Sequence, residues 1–384
     1  MHIAYVTETY PPELNGVALT VARLVRGLRA RGHAVQLIRP RQSGEAERDS
    51  EDEWRAPGIP IPMYTALRIG MPVVGGLAER WSRRRPDLVH VATEGPLGWA
   101  AVRAARLAGI PVTSDFRTNF DEYSAHYGFG WMSGAVRAYL RYFHNATDRT
   151  LVPTPSVRLA LARKGYERLD VIGRGVDCQL FSPAWRSETL RAAWGVADGA
   201  PVLLYVGRLA SEKNVPLAFR AYEAVRARVP GARMVVVGDG PLRGRLQQQS
   251  PDAIFVGQKS GNALAQHYAS ADIFLFPSST ETFGNVTLEA LASALLVVAF
   301  RSGAAALHIE DCASGVLVDS GDEQGFIAGA CALAQQFRWL GPMRRSARDS
   351  ALQATWDAVL ARFETFLVAA ANAVEAPLAG SCPA

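Results

Sequence analysis

Short apolar runs alternate with segments of helical period along most of this chain. HIAYVTE, near the N-terminus, is almost continuously apolar, as a strand buried on both faces is. Val17, Val21, Leu24, Val25 and Leu28 then recur at helical spacing until Gly32 stops the helix. The next strand is HAVQLIRP, followed by an acid-rich loop, SGEAERDSEDE. Then come the strand DLVHVAT, the helix GPLGWAAVRAARLAG, the strand IPVTSDF and further helices to about Lys164. After GRGVDCQLFSPAWR, whose glycines and Pro183 read as a linker, the alternation restarts. PVLLYVGR, ARMVVVGDG, AIFVGQ and DIFLFPSS are its strands, with helices over Pro216 to Val229 and Ala263 to Ser270.

Buried strands separated by helices predict α/β architecture with doubly wound parallel sheets. The length agrees: 384 residues suit two cores, because single cores rarely grow past roughly 250 to 300 residues. The expected organisation is an N-terminal Rossmann-like domain over 1–178, a second over 185–350 and a C-terminal helix over 351–375. Trp356, Val359, Leu360, Phe363 and Leu367 form an apolar stripe on that helix, which is expected to pack back on the first domain.

Composition narrows the class of protein. With 49% apolar and 20% charged residues the chain is globular, and no apolar run reaches the roughly 18 residues that span a bilayer. The N-terminus lacks the basic and apolar regions of a signal peptide, so a cytoplasmic location is expected. Cys178, Cys312, Cys331 and Cys382 show no metal-ligand spacing. Residues 1–184 hold 24 Lys+Arg against 18 Asp+Glu, or +6, whereas residues 185–384 hold 17 against 18, or −1. A basic first half suits an anionic partner such as a membrane surface or an acidic acceptor. Nucleic acid is not expected, because aromatic residues do not interleave with the basic ones.

Ligands of such sheets bind beyond the carboxyl ends of the strands, and the unusual residues of this sequence fall there. The first strand leads into a Pro-stiffened loop ending at Asn15-Gly16. The first strand of the second half leads into GRLASEKN, in which Arg208 and Lys213 flank a short loop and could face one anion. ETFGNVTLE follows DIFLFPSS and places Glu281 and Glu289 eight residues apart, the second expected at the first turn of a helix. Read alone, these carboxylates are equally well helix-entry charges favoured by the helix dipole. A dinucleotide oxidoreductase fits poorly, since the glycines at 238, 240 and 244 miss the G-x-G-x-x-G spacing by one residue. Metal-hydrolase motifs are absent as well.

Taken together, NG, GRLASEKN, VGDGP, ADIFLFPS and ETFGNVTLEALAS, in that order, resemble the retaining family-4 glycosyltransferases of the GT-B fold, in which two Rossmann-like domains face across a cleft. SDFRTNFDEYSAHYG most resembles bacterial GDP-mannose-dependent α-mannosyltransferases and, more distantly, sulfoquinovosyl, glucosyl and glucuronosyl diacylglycerol synthases. The resemblance implies a nucleotide-diphospho-sugar donor, a lipid or glycan acceptor, no cofactor, no divalent metal and no obligate protein partner. It implies that Arg208 and Lys213 hold the diphosphate, that Glu289 accepts from the ribose hydroxyls, and that Glu281 faces the sugar. Asn15, Gly16, Gly207, Gln258, Phe283, Gly284, Asn285 and Val286 complete the implied donor site. Arg117 stands where many relatives carry a histidine, with His126 nine residues later. Arg117 suits a donor phosphate, an acidic acceptor or a structural carboxylate such as Asp115, and His126 a site role or loop packing. ALL at 294–296 replaces the family's Gly-Leu-Pro, which is expected to loosen the turn. A paired-carboxylate glycosidase has no use for the cations, and a non-catalytic sugar-nucleotide sensor would not need Glu281 or Arg208.

Overall fold

The computed structural model describes residues 1–13, 16–42, 45, 50, 52–61, 64–117, 133–197, 199–278 and 281–373. The chain divides into two compact units, Met1–Ile172 with Val359–Ala384, and Gly173–Ala358.

The first unit is built on strands β1 (His2–Val6), β2 (Ala34–Pro40), β3 (Glu53–Ala56), β6 (Leu88–Val91), β7 (Val112–Asp115), β8 (Arg149–Val152) and β9 (Leu169–Val171). They lie in the order β3-β2-β1-β6-β7-β8-β9, every pairing parallel. Helices α1 (Gly16–Ala30), α2 (Val74–Arg83), α3 (Pro96–Leu107), α4 (Ser133–Asn145) and α5 (Pro155–Arg163) connect them. The apolar stripe of α1, from Ala18 to Leu28, is buried as its period requires. Glu53, the last residue of the acid-rich stretch, begins β3. A hairpin, β4 (Gly58–Ile61) with β5 (Tyr64–Gly70), follows. Arg39, buried in β2, pairs with Glu45 and Glu53 at 2.6 Å each, so those two acids are structural partners of a buried cation.

The second unit orders β12 (Ile254–Gly257), β11 (Arg233–Val237), β10 (Val202–Val206), β13 (Ile273–Phe276), β14 (Leu296–Phe300) and β15 (Val316–Val318) in one parallel sheet. Its helices are α6 (Glu188–Ala193), α7 (Val215–Arg228), α8 (Arg243–Gln249), α9 (Gly261–Ser270), α10 (Asn285–Ala292), α11 (Gly303–His308), α12 (Glu323–Gln336) and α13 (Gly341–Leu352). Residues 173–186, read from the sequence as a linker, contribute Val176 and Phe181 to this unit's core. Asp272, in the ADIFLFPS motif, is a buried hub that accepts from Arg191 and from the Val202 amide, at 2.9 Å each.

The last helix, α14 (Trp356–Asn372), begins in the second unit and continues in the first. Within the first unit its Phe363 ring meets His90 at 5.1 Å, Glu364 bonds Arg31 and His33 at 2.8 Å each, and Leu360 fills the space beside Gly27.

Candidate functional site

In the second unit the carboxyl ends of β10, β11 and β13 open onto three short loops. The first, Gly207–Asn214, depends on glycine. Gly207 has φ +155°, and Gly238, at the end of β11, lies so close that a Cβ there would fall 2.0 Å from the Gly207 carbonyl oxygen. Gly240 approaches the Leu209 carbonyl in the same way, at 2.5 Å. Backbone bonds from Gly207 to Val237 and from Leu209 to Asp239, at 3.0 and 2.9 Å, seal the two loops together. The glycines of VGDGP therefore permit close backbone approach, not dinucleotide binding.

On that platform Arg208 extends to 44% side-chain exposure and pairs with Glu212, while Lys213, at the end of a short 3-10 turn, reaches the third loop. Its Nζ lies 2.5 Å from Glu281 Oε1. Burial raises the Glu212 carboxyl, but the Arg208 guanidinium more than offsets this and holds it below the usual range. Tyr205 sits beneath this group and donates its hydroxyl to the Arg208 carbonyl at 3.1 Å. Its phenol is pushed upward by burial and then by the charges of Glu281 and Glu212.

The third loop turns into α10. Gly284, at φ +88°, caps the helix, and Gly303 lets the Ala304 amide bond the Phe283 carbonyl at 2.5 Å. Phe283 is buried, with the Arg174 guanidinium 5.9 Å from its ring centre. The first-turn amides of Asn285 and Val286 have no helix carbonyl ahead of them, a ready donor set for a ligand. Asn285 Oδ1 also lacks a partner among the described residues. Gln258 is exposed just past β12.

Glu289 is not at the helix entry where the sequence places it. It is the fifth residue of α10, beyond the reach of the dipole's positive end, and the first turn of this helix holds no acid. Burial pushes its carboxyl up to about 7, and the Tyr268 hydroxyl, donating to Oε2 at 2.9 Å, pulls it back only in part. The helix-entry account thus fails for both glutamates, one lying before the helix and the other a turn inside it. At the far end of α10 the expected loosening does not occur. Ala294 adopts φ +59°, the left-handed conformation a glycine would supply, and Leu295 N–H bonds the Ala290 carbonyl at 3.1 Å to close the cap.

In the first unit α1 starts at Gly16, around which a side chain would meet only open space. Asn15 and His126 lie outside the described residues. Arg117, its side chain 9% exposed, is paired with Asp115, which also accepts from His90 Nε2 at 3.2 Å. Burial alone would raise Asp115, yet Arg117 and His90 bring it down to about 2. Arg117 Nε still finds no acceptor among the described residues. No cluster of three or more His, Cys, Asp or Glu side chains suited to a metal occurs among the described residues. Nor is any of their helices long and apolar enough to cross a membrane.

Two family models match the chain, Glycosyltransferase Family 4 over residues 14–180 and Glycosyl transferases group 1 over residues 200–336. A GDP-mannose-dependent alpha-mannosyltransferase of Mycolicibacterium smegmatis is 37% identical over 94% of this chain and 95% of its own. An alpha-monoglucosyldiacylglycerol synthase of Streptococcus pneumoniae is 29% identical over 78% of this chain and 71% of its own. Among solved structures, Anabaena HepE in complex with UDP superposes with a TM-score of 0.75 at 18% identity, over 96% of this chain and 100% of that one. The shared fold is GT-B.

Proposed function

This chain belongs to glycosyltransferase family 4, and from that premise we propose that it is a retaining α-mannosyltransferase that moves mannose from GDP-mannose to a hydroxyl of a lipid-linked or glycan acceptor. The observation that carries the reading is the meeting of Lys213 and Glu281 beside Arg208 at the strand exits of the second unit. Glu289 stands one helical turn beyond them.

In this reading Arg208 and Lys213 bind the donor diphosphate. As the bond from the sugar's C1 to the phosphate oxygen breaks, its electron pair becomes negative charge on the leaving phosphate. Fixed cations stabilise that change more than they stabilise the bound donor. An ammonium has three donors, so Lys213 can hold Glu281 and the phosphate together. Glu281 and the amides of the Phe283–Val286 turn hold the sugar hydroxyls, and Glu289 accepts from the ribose. The acceptor hydroxyl attacks C1 from the leaving-group face and its proton passes to the departing phosphate oxygen, so the anomeric configuration is retained. Arg117, locked to Asp115, serves as a structural cation at the exit of β7.

The basic first unit supports a lipid-linked acceptor at an anionic membrane surface, with the protein peripheral on the cytoplasmic face. Helix α4 exposes Arg137, Arg141 and Tyr142 together, a combination suited to lipid headgroups. Sedimentation with acidic-lipid vesicles at low salt tests this, and its failure would favour a soluble acceptor. The resemblance to a monoglucosyldiacylglycerol synthase supports a second reading, hexosyl transfer to diacylglycerol. A screen of GDP-mannose, UDP-glucose, UDP-glucuronate and UDP-sulfoquinovose, with lipid and glycan acceptors present, separates the two. Release of GDP from GDP-mannose alone is expected, and turnover of no donor would point to a sensor.

A further inference from the structure

We infer that Tyr268 is a positioning residue for the nucleotide: its hydroxyl fixes one carboxylate oxygen of Glu289 and leaves the other for the ribose. The inference rests on the donor reading given above for Glu289. Tyr268, on α9, is fully buried, with its ring held edge-on by Phe181 at 5.5 Å and beside Phe274 at 5.8 Å, so the hydroxyl cannot swing away. A phenol has one proton to donate. Glu289 Oε2 lies at 2.9 Å and the Val286 carbonyl at 3.4 Å, and the carboxylate is both the nearer and the charged acceptor.

The surroundings of Glu289 give this one bond its weight. Arg344 and Arg348 belong to α13, which packs on α10, but both are directed elsewhere. Arg344 turns to Asp272 and the Ala294 carbonyl, and Arg348 to the carbonyls of Phe181, Cys178 and Ala292. His308 of α11 faces the ring of Phe283. The neighbouring strands β13 and β14 present apolar side chains. Burial and the tyrosine hydroxyl are therefore the influences that set the titration of this carboxyl. A carboxylate must be ionised to accept from two ribose hydroxyls. Burial holds the group protonated up to about neutral pH, and Tyr268 is the group that pulls it back toward the ionised form. Removing the hydroxyl raises the carboxyl further and frees its rotamer.

GDP binding to the full chain, followed by calorimetry from pH 6 to pH 9, tests the inference in the wild type, Tyr268→Phe, Glu289→Gln and the double variant. Tyr268→Phe is expected to weaken GDP about 5- to 10-fold at pH 7, the scale of one ordinary hydrogen bond, and to recover toward the wild type by pH 9. In steady-state turnover the change falls on the donor KM and not on kcat. In the Glu289→Gln background Tyr268→Phe is expected to have no effect. A loss that is the same at every pH, or that persists undiminished without the glutamate, would overturn the inference, as would wild-type binding by Tyr268→Phe beside a weakened Glu289→Gln. Wild-type binding by Glu289→Gln would instead remove the ribose reading itself. Should Tyr268→Phe fail to fold, a 3-fluorotyrosine placed at position 268 keeps the shape and donates more strongly. Its midpoint is expected to move to lower pH, and no movement would count against the inference.

Discussion

The turn that carries Glu281 and the helix body that carries Glu289 are eight residues apart and electrostatically opposite. Around the turn every charge is answered, with Lys213 on Glu281 and Arg208 on Glu212. One turn inside α10 the carboxylate has a tyrosine and, among the described residues, no cation, and burial lifts it to about 7. A balanced site can exchange one partner for another, so a diphosphate can enter the turn by sharing its cations. A desolvated carboxylate instead gains most from a ligand that supplies hydrogen-bond donors, which a ribose does. In the function proposed above, the difference corresponds to charge stabilisation at the turn and recognition at the helix.

The sharpest way to break that assignment is to remove a cation from the turn. Arg208→Gln and Lys213→Gln are each expected to lower kcat/KM for donor turnover by about 10²- to 10³-fold, the effect of deleting one preorganised donor to a developing charge. Near-normal turnover in either would show that the turn does not stabilise the leaving group. Measuring kcat and KM separately sharpens the point, because losing an interaction made only in the transition state lowers kcat.

A smaller effect is expected from the helix side, in stability. The Glu289 carboxyl titrates at an ordinary 4.5 when unfolded and at about 7 when folded, so the native state holds the proton more tightly between those values. Stability from this group is therefore fully present below pH 4.5 and is lost as the pH rises through 7. Glu289→Gln does not titrate. It should match the wild type near pH 4.5 and exceed it by about 3 kcal/mol at pH 8, read from denaturant midpoints at each pH. A gain that is the same at both pH values would mean that the carboxyl is not desolvated.

Much of the frame behind this comparison can be read directly from the chain, for an identifiable reason. Strands covered on both faces must be apolar throughout, so β1, β10 and β13 stand out as runs, and the loops at their ends follow from strand direction. The hairpin of β4 and β5 and the short β3 lack that cover and do not stand out. The pairing of Arg39 with Glu45 and Glu53 makes those two acids structural, which composition alone cannot reveal. Within the candidate site, Arg208, Lys213, Glu281 and Glu289 can be picked out from the sequence as candidates, but their environments cannot. Tyr268 lies 21 residues before Glu289 on another helix, and no local pattern marks that contact. Tyr205 is hidden in the same way inside an apolar strand, although a tyrosine at a strand's penultimate position is a signal that a polar tip sits at the exit. The depth of Glu289 in α10 depends on where Gly284 starts the helix, and Glu281 lies ahead of that start.

The smallest effect sits at the end of α10. Ala294 holds φ +59° with a Cβ that the left-handed region disfavours. Ala294→Gly is expected to raise stability by about 0.5 to 1 kcal/mol without changing donor kinetics, the relief of strain being partly offset by glycine's greater freedom when unfolded. A loss of stability, measured by thermal unfolding, would mean that the alanine methyl contributes packing that outweighs the strain.

The most direct measurement is steady-state kinetics with GDP-mannose for Glu281→Gln and Glu289→Gln side by side. If the turn serves the reacting sugar and the helix holds the ribose, Glu281→Gln lowers kcat with little change in donor KM, and Glu289→Gln raises donor KM with little change in kcat. Identical kinetic signatures in the two variants would contradict the account, because the two carboxylates would then be doing the same work.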